Sequence, residues 1–87
     1  MARFDFSGSD TMAPGAAFEE TLFQLGIASA TGRDGTPDLV AAHKWFNLAA
    51  ARGYADAAHY RQEVALEMSA AEIADAQRAA REWLRTH

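Results

Sequence analysis

The sequence predicts an all-helical domain of four helices arranged as two antiparallel hairpins. Three observations carry this. Apolar residues recur at helical spacing in four successive stretches between residues 14 and 87. The boundaries of these stretches carry start and stop signals, Thr36-Pro37-Asp38 and Gly53 around one and Ser69-Ala70-Ala71-Glu72 before another. The segments between them are short, so consecutive helices lie side by side in opposite directions.

The first thirteen residues have no helical period. Phe4 and Phe6 alternate with polar residues, which suits an extended arm, and Ser7-Gly8-Ser9-Asp10 reads as a turn or joint. Residues 14–87 form the single helical domain.

The first helix is expected from Pro14 to Thr31. Phe18, Leu22, Leu25 and Ser29 share a face, and Gly26 permits close approach at a helix crossing. Phe23 and Ile27 lie nearly opposite that face, so this helix has two apolar sides. With Phe4 and Phe6, these two form the candidate interaction surface: an apolar patch on the back of the helix, to be covered by the arm, by a second copy of the chain or by a foreign partner.

Gly32 and Gly35 break the loop that follows. The second helix occupies residues 38–53. Thr36 is expected to cap it, Pro37 suits its first turn and Asp38 sits at the positive end of the helix dipole. Leu39, Ala42, Trp45, Phe46 and Ala49 form its apolar stripe, and Gly53 takes the left-handed turn that ends it.

The third helix follows Gly53 and is expected to reach Met68. Ala57, Tyr60, Arg61, Val64 and Met68 share a face, with the Arg61 stem along the core and its head in water. Leu66 points the other way, which predicts cover on two sides. The fourth helix opens with a capping box at Ser69 and Glu72. Ile73, Ala76, Gln77, Ala80, Trp83 and Leu84 form its stripe. Acids come early and Arg78, Arg81 and Arg85 late, as the dipole favours.

The second helix carries a resemblance. Asp38, Ala42, Trp45, Phe46, Ala49, Ala50, Gly53 and Ala57 are similar to the second helix of a Sel-one-like repeat, a family of the tetratricopeptide-like helical repeats. Leu25-Gly26 and Gly32 resemble the end of that repeat's first helix, with Gly32 at the family's usual spacing from Asp38. Ser29 departs from the usual tyrosine and Asp34 from the second loop glycine. The match spans residues 18–57, one repeat, with a half repeat and a capping helix after it. The resemblance implies a short helical solenoid that serves as a scaffold for complexes. The expected structural core is Leu25, Gly26, Trp45, Phe46, Ala49, Gly53 and Trp83.

At 87 residues the chain is one small domain near the lower limit for a self-sufficient core. It has no cysteine, hence no disulfide and no thiolate metal site. The net charge of −4 is unevenly placed: residues 1–38 hold six acids and two bases, whereas residues 39–87 hold six of each. An acidic first half argues against nucleic acid as a partner. No apolar run approaches the span of a bilayer, and the N-terminus has no apolar signal core, so no membrane is expected and the cytoplasm is the expected location.

No catalytic, cofactor-binding or metal-binding residue is expected. His43, His59 and His87 lack the close pairing of a zinc site. Asp34 and Asp38 lack the dense oxygen ligands of a calcium loop. Glu19 and Glu20 diverge by about a hundred degrees around a helix. The expected function is a protein–protein interaction module, an adaptor or scaffold that takes a protein or peptide and is not an enzyme. The alternatives are a self-associating structural protein, a homodimer, or a small regulatory subunit of an enzyme complex.

Overall fold

A computed structural model describes residues 14–33 and 35–87. The described residues are all-helical: α1 (Pro14–Thr31), α2 (Leu39–Ala51), α3 (Ala57–Ala65) and α4 (Ala70–Thr86). The arm expected at residues 1–13, with Phe4 and Phe6, and the loop residue Asp34 lie outside the described residues.

α1 and α2 form a hairpin whose loop is tied by backbone hydrogen bonds. The Arg33 N–H donates to the Ala28 carbonyl at 3.1 Å and the Asp38 N–H to the Ser29 carbonyl at 2.9 Å. This second bond fixes where α2 begins. Asp38 takes an extended backbone and its carboxylate accepts from the Ala41 N–H at 3.0 Å. Asp38 is therefore the N-cap, and not Thr36 as the sequence suggested. Pro37 stands before the cap, where its missing N–H costs nothing.

The far end of α2 closes as expected. Gly53 has φ +89°, a left-handed conformation that residues with a Cβ adopt only under strain. The Gly53 N–H reaches the Ala50 carbonyl at 2.9 Å and the Tyr54 N–H the Ala49 carbonyl at 3.1 Å, the paired bonds of a Schellman motif. Gly53 itself is exposed, and open space surrounds the position of its absent side chain. It belongs to the turn and not to the core in which the sequence reading placed it.

α2 is the hub, and α1, α3 and α4 each pack on it. Ala42, Phe46 and Ala49 on α2 are fully buried, joined by Leu22 and Phe23 of α1, Ala57 and Val64 of α3, and Ala80 of α4. Trp45 and Trp83 are half-buried against this cluster with their rings edge to face at 6.2 Å. Alanines at the contacts let helix axes approach, while the aromatic rings supply the buried area.

The face of α1 differs from the expectation. Leu25 was expected in the core and is 40% exposed, whereas Phe23 was expected on the surface and is only 8% exposed. Phe23 sits in a ring cluster with Phe46 at 5.6 Å, Tyr54 at 4.7 Å and Tyr60 at 5.0 Å. Ile27 is half-buried and packs on the same core. The cause is Gly26. A Cβ there would stand 2.5 Å from the Phe46 ring, so α1 turns its glycine toward α2 and carries Phe23 and Ile27 inward with it.

Gly26→Ala tests this contact. In an ordinary helix interior the change would gain up to about 1 kcal/mol. Here the Phe46 ring is fully buried and has little room to move, and overpacking of this kind costs about 1–3 kcal/mol. A lowered melting temperature is the expected result; a raised one would show that the helices separate at no cost.

α3 is shorter than expected, ending at Ala65, and Leu66 is 81% exposed among the described residues, so its outer side lacks the cover predicted for it. Arg61 also differs: instead of reaching into water, its guanidinium donates to the Asn47 Oδ1 at 2.9 Å, bridging α3 to α2. α4 opens with the expected capping box. The Ser69 Oγ accepts from the Glu72 N–H at 3.1 Å, and the Glu72 carboxylate accepts from the Ser69 N–H at 2.8 Å. Ala76 and Ala80 face α2, while Gln77 and Leu84 from the predicted stripe are exposed.

Candidate interaction surface

Three helices meet at a cleft of about 400 Å³, lined by Ala30, Pro37, Leu39, Glu63, Val64 and Glu67. Each wall follows from local sequence. Ala30 lies in the last turn of α1, where a small side chain leaves room. Pro37 and Leu39 flank the Asp38 cap, so the cap that starts α2 also sets these two beside α1. Glu63, Val64 and Glu67 come from the end of α3 and the turn after it, where the Glu67 N–H donates to the Val64 carbonyl at 3.0 Å.

The floor is apolar. Val64 is buried, and Ala30 and Leu39 are half-buried against the core. The rim is acidic, since Glu63 and Glu67 are both exposed. Among the described residues neither is bridged to a lysine or arginine; Glu63 meets only His59, at 3.9 Å along the same helix. A second, smaller groove of about 220 Å³ lies on the other flank of the hairpin, lined by Leu25, Ala28, Ser29, Gly32, Thr36 and Asp38.

A third feature is an aromatic row. Phe18 stacks on Trp83 at 5.9 Å, and His87 stacks on the same indole at 4.3 Å. The Arg52 guanidinium lies 4.6 Å over the Phe18 ring and the Lys44 ammonium 4.0 Å from the Trp45 ring centre. The fold itself satisfies these rings, which cap the hairpin end and hold α4 to it.

Of the residues expected to form an interaction surface, the two that are described do not form an exposed face. Phe23 and Ile27 pack inward, and Phe4 and Phe6 lie outside the described residues. The cleft residues were missed. The signal in the sequence was the pair Glu63 and Glu67, one turn apart around Val64 with no lysine or arginine at helical spacing to either.

His43 is the one buried polar side chain of the described core, and its Nδ1 has no hydrogen-bond partner. Burial, and secondarily the positive charge of Arg61, holds its pKa below the ordinary histidine value of 6.5. The folded state therefore keeps this imidazole neutral at a pH where the unfolded chain takes up a proton. Stability from this group is complete above 6.5 and falls as pH drops through 6.5 toward the lowered folded value. The melting temperature should decline between about pH 7.5 and pH 5, and His43→Leu should flatten that decline. An equal slope in both proteins would remove His43 as its source.

Among the described residues no group of three His, Cys, Asp or Glu side chains is placed to hold a metal ion. None of the described helices is long and apolar enough to cross a membrane. No protein-family model, curated protein or solved structure matches this chain.

Proposed function

We propose that the protein is a protein-binding module, a small helical adaptor without catalytic activity, that holds a segment of a partner in the cleft between α1, α2 and α3. The observation that carries this reading is the cleft itself, an apolar floor inside a polar rim at the meeting point of three helices. Binding sites commonly combine these parts. The resemblance of residues 38–57 to the second helix of a Sel-one-like repeat supports it, because proteins of that family generally scaffold complexes. We propose membership of that family on the same residues. The Gly26–Phe46 approach and the left-handed Gly53 supply a physical reason for two of the matched positions.

The test is capture of partners from the cells that express the protein, with the parent chain and with Ala30→Trp, whose indole fills the cleft. Specific, stoichiometric capture by the parent, lost in Ala30→Trp at an unchanged melting temperature, is the expected result. Equal capture by both would move the binding surface elsewhere, and no specific capture by the parent would argue against a binding module.

A further inference from the structure

We infer that the cleft takes the side chain of a basic residue, arginine or lysine, presented by a partner polypeptide; this rests on the binding-module reading above. The argument is one of complementarity. An arginine or lysine side chain is an apolar stem with a cationic head. The cleft offers the matching pair of surfaces in the same order, Ala30, Leu39 and Val64 at its floor and the Glu63 and Glu67 carboxylates at its rim.

The charge at this rim is uncompensated within the fold. Glu63 and Glu67 stand one turn apart, and like charges at that spacing repel. Elsewhere the exposed acids of α4 are answered locally, Asp75 by Arg78 and Glu82 by Arg85. At the cleft the described residues supply no such arginine or lysine. α1 and α3 also both end here and add partial negative charge, while the positive start of α2 at the same place is answered by its own Asp38 carboxylate. An acidic segment would meet repulsion in this position. A purely apolar side chain would leave both carboxylates partly desolvated without a partner. A guanidinium can instead donate to both carboxylates at once, which favours arginine over lysine.

The experiment is an amide-resolved NMR titration of the whole chain with acetyl-Gly-Leu-Arg-Leu-Gly-amide. Two control peptides carry citrulline, which is neutral with nearly the same shape, or glutamate in place of the arginine. Shifts should concentrate on the amides of Leu39, Val64 and Glu67, and binding should weaken about tenfold with citrulline and be lost with glutamate. The double variant Glu63→Gln, Glu67→Gln changes only exposed carboxylates, so it should keep the parent's melting temperature while binding the arginine peptide about tenfold less tightly. Absence of cleft shifts at millimolar arginine peptide, equal binding of the citrulline peptide, or undiminished binding by the double variant would each overturn the inference. If the parent still captures a partner that Ala30→Trp loses, the binding-module reading stands without it. If capture fails as well, both fall.

Discussion

Replacing Phe46 by alanine should leave the protein largely unfolded. This ring is fully buried at the centre of the helix that every other helix packs on. It meets Phe23, Tyr60 and the bare backbone of Gly26, so no single neighbour can move in to fill the space. Truncating a buried phenylalanine costs about 3–5 kcal/mol. A domain of this length has a total stability of the same order. Thermal unfolding followed by circular dichroism measures the effect. A melting temperature within a few degrees of the parent would show that the core lies elsewhere.

Phe23→Glu should have an effect of comparable size. It removes a ring that touches three others and sets a carboxylate among these aromatic rings, where burial of a charge is costly. Leu25→Glu, two residues away on the same helix but 40% exposed, should cost under about 1 kcal/mol. The contrast between neighbours is the decisive reading. A folded Phe23→Glu protein with half the parent's mass in sedimentation would instead mean that this face joins two copies, and the burial described above would be wrong.

Those two positions also show how far the sequence could be read. The existence and order of the four helices were legible, because each has an apolar stripe and the ends of α2 and α4 carry specific residues, Gly53 and the Ser69–Glu72 box. The face of α1 was not. Phe18, Leu22, Phe23, Leu25 and Ile27 surround that helix, so hydrophobic period alone cannot choose between its sides. The deciding residue was Gly26, which marks the side of closest approach only once Phe46 is known to lie opposite. The sequence reading placed the cap of α2 at Thr36 and Asp38 inside the first turn, whereas the hydrogen bond from the Asp38 N–H to the Ser29 carbonyl across the loop makes Asp38 the cap. The cleft depends on the mutual placement of α1, α2 and α3, which no local pattern encodes.

The short third helix has a consequence for how the protein moves. α3 has nine residues, below the length at which a helix holds itself together in water. Its attachment is the Ala57 and Val64 contacts, the half-exposed Tyr60 ring and the Arg61–Asn47 bond. α2, by contrast, is enclosed by neighbours. Amide hydrogens of α3 should therefore exchange with solvent through partial openings that leave α1 and α2 intact, while those of α2 exchange only when the whole domain unfolds. Identical exchange rates in the two helices would show a single cooperative unit. Since α3 carries Glu63 and Val64, a helix too short to hold itself together alone forms one wall of the cleft.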